Sequence, residues 1–260
     1  MQGDFMSDVG FALFLTLFAG LATGVGGLVV LFSNPSNKRF LAVCLSFSAG
    51  VMLYISFAEI LFKGFEVLEY EFAEGVGLAV GTAAFFVGIA VIALVDRLVP
   101  HGTDRGGLNR TGMMSALAIA IHNFPEGFLT FVAAMYDPAL GIAVAAAIAL
   151  HNIPEGIAMA SPIYYGTGNK KKAVLVAAAS GLTEPLGGLL AWFLMRNLFD
   201  DMGIAFGISF AFVSGIMVFV ALHQLLPAAK KYGDHKTVMK WLFVGMGVIA
   251  LSIVGLEIFM

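Results

Sequence analysis

The chain has 260 residues, 60% of them hydrophobic and only 12% charged, with one cysteine and a net charge of -3. Water-soluble domains carry about 25% charged residues, so this composition excludes an ordinary soluble domain, and the charge offers nothing to nucleic acid. The lone Cys44 excludes an internal disulfide and a cysteine-rich zinc site and reads as a small apolar helix residue.

A helix that crosses a bilayer needs roughly 20 mostly apolar residues. By that measure the chain is an all-α polytopic membrane protein of eight spans. They lie at about 9–32, 40–63, 72–96, 113–135, 138–163, 172–195, 203–228 and 238–259. The first follows an acidic start, Asp4 and Asp8, and is long enough to span rather than be cleaved. Connections are short and rich in turn formers, as in Ser33-Asn34-Pro35-Ser36-Asn37 and Gly166-Thr167-Gly168-Asn169. The longest, residues 97–112, is glycine-rich, and the whole chain reads as a single membrane domain.

Charge sets an expected orientation. The links after spans one, three, five and seven, with their helix ends, hold all of the 14 basic residues except Lys63 and Arg196. The opposite side carries Asp4, Asp8, Glu66, Glu69, Glu71, Glu74, Asp137, Asp200 and Asp201. Basic loops stay in the cytoplasm, which puts both termini outside it and makes the acidic face the outer one. That face could attract cations, but solvated loop charge is the simpler reading.

Spans four and five contain two nearly identical blocks, His122-Asn123-Phe124-Pro125-Glu126-Gly127 and His151-Asn152-Ile153-Pro154-Glu155-Gly156. Consecutive spans run in opposite directions, so the pair is the mark of an inverted repeat, a plan that places substrate near the midplane. At about 100° per residue, His122 and Glu126 project about 40° apart, and Asn123 falls on the same side. Each proline lacks an N–H and pushes against the carbonyl four residues back, which predicts locally distorted or broken helices at both blocks. Ionisable groups inside a membrane are costly and mark function. Histidine–asparagine hydrogen bonding alone explains neither the paired carboxylates nor the prolines. The donors are nitrogen and oxygen, suited to Zn²⁺, Fe²⁺, Mn²⁺, Co²⁺ or Ni²⁺. They exceed what one tetrahedral zinc needs, so a polynuclear site or an ion that exchanges ligands as it moves is expected.

Span six adds Glu184 beside Pro185, at mid-depth. In span two, Ser46, Ser48 and Ser56 read as packing or interhelical hydrogen-bonding residues. Met52 reads as packing with a thioether in reserve. Glu59 reads as an entry ligand or an interfacial residue. His223 and Gln224, near the inner end of span seven, read as interfacial or hydrogen-bonded. His101 and His235 read as solvated, and Glu257 as an outer-boundary residue.

At these residues the chain resembles the ZIP family of divalent-metal transporters, most of all its bacterial ZupT-type zinc-uptake branch. The resemblance runs through Asn34-Pro35-Ser36-Asn37-Lys38-Arg39, Ser48-Ala49-Gly50-Val51-Met52, both repeated blocks and Gly181-Leu182-Thr183-Glu184. It implies a site of His122, Asn123, Glu126, His151, Asn152, Glu155 and Glu184, with Met52 facing it, often binuclear. It also implies that helices one, four, five and six move against a dimerising scaffold of helices two, three, seven and eight. The expected activity is uptake of a divalent ion across the cytoplasmic membrane by alternating access, Zn²⁺ first, with Fe²⁺, Mn²⁺, Co²⁺ and Cd²⁺ as further candidates. The expected assembly is a homodimer, without a resident cofactor. The link after span three holds only His101, unlike the long histidine-rich link of many members. His223-Gln224 stands where some members carry acidic residues. An intramembrane metalloenzyme is the other reading, since metal with carboxylates can activate water. It lacks a His-Glu-x-x-His block and the di-iron Glu-x-x-His pattern. A haem carrier on His122 and His151 would leave the adjacent glutamates without purpose.

Overall fold

The structure, a computed structural model, describes residues 2–34, 36–73, 75–98, 107–197 and 203–259. His101, Arg105, Glu74, Asp200 and Asp201 lie outside the described residues, and so do the side chains of Asp4, Arg196 and Glu257. Among the described residues, eight helical spans are long and apolar enough to cross a membrane. They are α1 (Gln2–Gly27, continued by a 3₁₀ turn over Leu28–Leu31), α2 (Lys38–Glu71), α3 (Val76–Leu98), α4 (Leu108–Tyr136) and α5 (Pro138–Thr167). Then come α6, in two parts (Lys170–Gly181 and Thr183–Asn197), α7 (Gly203–Tyr232) and α8 (His235–Phe259).

Most spans outrun the apolar runs that announce them. The extra turns carry charge, as in Lys63, Glu66 and Glu71 at the end of α2 and Lys230 and Lys231 at the end of α7. Such turns continue the helix beyond the hydrocarbon layer, where hydropathy has no signal. Termini are capped by local chemistry. Asn37 accepts from Phe40 N (3.0 Å), Asn169 from Lys172 N (2.9 Å), and Asp137 from Ala139 N (2.7 Å) with Pro138 in the first turn. Gly107 (φ 77°) before α4 and Gly168 (φ 72°) after α5 take left-handed conformations that suit glycine. Two of the acidic residues of the expected outer face are therefore structural. Asp137 caps α5, and Glu69 Oε1 accepts from Leu78 N (2.9 Å) at the start of α3.

The helices are sorted by side-chain size. On α1, Phe14, Phe18, Leu21 and Val25 are exposed, whereas Ala12, Thr16, Ala19 and Thr23 are fully buried. Large apolar groups face outward and small ones face the other helices, as membrane packing favours. Helices α1, α4, α5 and α6 pack on one another. In the other group α2 lies along α8, and α3 along α7. The two groups meet where α2 crosses α5 and where α4 meets α7.

The prolines do not break the repeated blocks. Both α4 and α5 run as unbroken α-helix through Pro125 and Pro154, and α5 also through Pro162. A proline deprives one carbonyl of its partner, and surrounding protein can supply what is lost. The helical irregularities lie elsewhere, in π turns at Ser56–Ile60 of α2 and Val220–Leu225 of α7, and in a turn at Leu182 just before Glu184.

Candidate metal centre

The hairpin between α4 and α5 is a single residue, Asp137. It folds two antiparallel helices against each other and brings the repeated blocks face to face. His151 Nε2 lies 2.9 Å from Glu126 Oε1 across the helix pair. His122 Nε2 lies 3.0 Å from the same oxygen along α4, and 3.5 Å from Glu155 Oε1. The two imidazole rings stand 6.2 Å apart, centre to centre, tilted by 42°. One ligand atom each from His122, Glu126 and His151 falls within 4.8 Å of the others. Ligands about 2.0–2.1 Å from a tetrahedral zinc sit about 3.3 Å from each other. The imidazole–carboxylate separations of 2.9–3.5 Å lie on either side of that edge length.

All of these side chains are buried, as are Asn123, Asn152 and Glu184. Their donors are engaged at the periphery. Asn152 Nδ2 donates to Ala19 O of α1 (2.9 Å) and to Glu184 Oε1 of α6, and Asn123 Nδ2 donates to Thr23 Oγ1 (3.4 Å). The acceptors are not. Asn123 Oδ1, Glu126 Oε2, Asn152 Oδ1, Glu184 Oε2 and both oxygens of Glu155 have no hydrogen-bond partner. Native proteins leave few buried polar atoms unpaired, and such a group needs an explanation. At the site the unpaired atoms are these oxygens and His122 Nε2, beside the second imidazole and three carboxylates. Buried carboxylates without cations are strongly disfavoured. The donor set is chemically suited to a cation, with more oxygens than one tetrahedral ion requires.

Close helix contacts hold the site together. A Cβ on Gly127 would fall 1.9 Å from Glu184 O, and one on Gly156 would fall 2.0 Å from Thr23 O. Those glycines let α6 and α1 approach the block-bearing helices at backbone distance. Ser48 Oγ of α2 donates to Pro154 O (2.8 Å), and so ties the second block to the other group of helices. Ser214 Oγ likewise donates to Ser56 O (2.8 Å), whereas Ser46 bonds back to its own helix at Ala42 O (2.7 Å). Met52 is fully buried within the large apolar cluster, as is Met159. Cys44 is buried, in keeping with its reading as an apolar residue.

A cavity of about 400 Å³ leads to the site. Glu126 and His151 line it, together with Glu59, Lys63 and Glu66 from the acidic end of α2 and Leu140, Val144 and Ala147 from α5. Glu59 therefore faces the route to the site, and Lys63 Nζ pairs with it at 2.8 Å.

At the basic end the helices close on a polar cluster that the sequence did not single out. Asp96 of α3 is buried and pairs with Arg110 of α4 (2.8 Å), whose guanidinium also donates to the Asp96 carbonyl. Gln224 of α7 donates to the same carboxylate, and His223 Nε2 stands 3.7 Å from its other oxygen. Gln224 is thus a buried hydrogen-bonding residue, and His223 is exposed beside it. A carboxylate closing the apolar run 76–95 was the available signal for Asp96. Thr23 and Ala19 of α1 were also missed, and a backbone carbonyl leaves no mark in a sequence. His235 is exposed at the start of α8.

A family model described as "ZIP Zinc transporter" matches residues 100–255. The chain is 48% identical to the "Zinc transporter ZupT" of Nitratidesulfovibrio vulgaris, over 92% of this chain and 94% of that one. It is 47% identical to the protein of the same name from Chlorobaculum parvum (95% and 98%), and 44% identical to that of Clostridium perfringens (96% and 98%). These names are those of transporters, not of enzymes.

Proposed function

The chain belongs to the ZIP zinc transporter family, and from that premise we propose that it takes up divalent transition-metal ions, Zn²⁺ first, into the cytoplasm. One observation carries the assignment of the site: imidazoles and carboxylates from both repeats converge, buried, at the end of a cavity. His122, Glu126, His151 and Glu155 are the central ligands. Asn123, Asn152 and Glu184 supply further oxygens, and Met52 is a candidate thioether ligand from α2. The surplus of unpartnered oxygens supports two ions, or one ion that moves between ligand sets. Nitrogen and oxygen donors would also accept Fe²⁺, Mn²⁺, Co²⁺ and Cd²⁺, because raw affinity selects poorly among divalent ions.

The membrane is the inner, cytoplasmic one, with both termini outside, by the distribution of lysine and arginine. In that orientation the cavity opens outward and the Asp96–Arg110–Gln224 cluster closes the inner end. The protein then stands in an outward-facing state. Hydrated ions enter past Glu59, exchange water for His122, His151 and the carboxylates, and leave inward when access changes. The packing into two groups supports α1, α4, α5 and α6 as the moving unit and α2, α3, α7 and α8 as the scaffold, through which two copies form a homodimer.

Radiolabelled Zn²⁺ uptake into proteoliposomes tests the proposal. Wild type should accumulate the label and Glu155→Ala should not. Tight zinc binding without flux in either protein would overturn transport through this site.

A further inference from the structure

The route to the metal centre contains a cation of its own. Among the described residues lining the cavity, Lys63 is the one lysine or arginine, and its ammonium sits 2.8 Å from Glu59 Oε1. Glu59 lies in the π turn Ser56–Ile60, and Lys63 follows one turn nearer the acidic end. Such turns recur at functional sites. The same cavity is lined by Glu126, which is 5% exposed and whose Oε2 has no partner. The mouth and the buried site therefore share one space, and an ion arriving from the acidic end of α2 passes Glu66 and the Glu59–Lys63 pair before it reaches Glu126.

We propose that Lys63 is a specificity-determining residue, a tethered ammonium that holds Glu59 until a divalent ion displaces it. This inference rests on the transport reading. The pair is half exposed on its lysine side, so it is weakly held. A divalent ion gains twice the Coulomb attraction to Glu59 that the ammonium does at equal distance. A monovalent ion gains no more than the ammonium, which as a tethered group also has a high effective concentration. The exchange therefore favours doubly charged ions before any ligand of the buried site is reached. It also slows entry, because one positive charge stands in the path.

The experiment compares wild type, Lys63→Gln, Lys63→Arg and the Glu59→Gln/Lys63→Gln double variant in proteoliposomes, with zinc as substrate. External sodium chloride is compared with choline chloride at equal ionic strength. Lys63→Gln should lower KM for zinc about three- to tenfold at unchanged kcat, within the range that charge gives to association. It should also become more sensitive to sodium than to choline. Lys63→Arg should restore wild-type behaviour, and the double variant should lose the sodium sensitivity. An unchanged KM with equal responses to the two salts would overturn the role of Lys63. If wild type moves no zinc, the transport reading falls by itself. The rate of zinc association with detergent-solubilised protein then decides on Lys63, faster in Lys63→Gln if the inference holds and equal if it does not.

Discussion

Glu126 Oε1 is approached by two imidazoles at once, His151 Nε2 at 2.9 Å and His122 Nε2 at 3.0 Å. One carboxylate oxygen thus joins the two halves of the repeat. Glu126→Gln replaces that charge with an amide of the same shape. Zinc affinity should fall by about a hundredfold or more, since even the outer partners of metal ligands are worth 10–100-fold. Equilibrium zinc titration of the purified variant checks this, and an affinity within twofold of wild type would remove Glu126 from the site.

Asn152 reaches both Ala19 O and Glu184 Oε1 with its amide, so it holds α1, α5 and α6 in one arrangement. Asn152→Ala frees the Glu184 carboxyl group and leaves it buried with one donor fewer. The expected result is a loss of stability of about 1–3 kcal/mol, with a drop in zinc affinity of about tenfold. Thermal unfolding in detergent with and without zinc separates the two effects.

Gly127 has no room for a methyl group. A Cβ there would fall 1.9 Å from Glu184 O, whereas at Gly247 nothing lies within 4 Å. Gly127→Ala must push α4 and α6 apart, with an overpacking cost of about 1–3 kcal/mol and loss of uptake. Gly247→Ala should be neutral or slightly stabilising, because alanine is the better helix former. Melting temperatures of the two variants test the pair directly.

Asp96→Ala leaves Arg110 without its carboxylate at a mostly buried position. Breaking such a pair from one side costs about 3 kcal/mol. Arg110 then also holds α4 to α3 less firmly. The melting temperature should fall more in Asp96→Ala than in Gln224→Ala, which removes only one donor. Equal effects would mean that the hydrogen bond, not the charge, carries the contact.

Asp234 lies outside the spans, where it accepts from Thr237 Oγ1 (2.6 Å) and Thr237 N (3.0 Å) at the start of α8. Those hydrogen bonds hold its carboxyl below the usual aspartate value. A lowered folded-state value means a contribution present above the ordinary aspartate range and lost as pH falls through the folded value. Asp234→Asn keeps a capping oxygen but not the charge. The gap between wild-type and Asp234→Asn melting temperatures should therefore be constant near neutrality and close below about pH 4.

The number of spans was legible because each carries a long apolar run, and the ligand blocks were legible because polar groups inside such runs stand out. Helix ends were less so, since α2 and α7 continue as charged turns beyond the apolar segments. Proline suggested breaks at 125 and 154, yet the helices continue there and deviate at Ser56–Ile60 and Val220–Leu225, where no proline lies. A π turn inserts one residue without any special side chain, so composition does not reveal it. The cluster at Asp96, Arg110 and Gln224 needed three helices to be placed in space before its members could be matched.

The one-residue link at Asp137 has a mechanical consequence. Its N–H and side chain are both committed, to Ala133 O and to the first turn of α5. Little slack exists between Tyr136 and Pro138, and the helices are packed along their lengths. His122 and Glu126 are therefore yoked to His151 and Glu155 as parts of one rigid cradle. Any displacement of one block then carries the other with it, as two jaws move on a single pin.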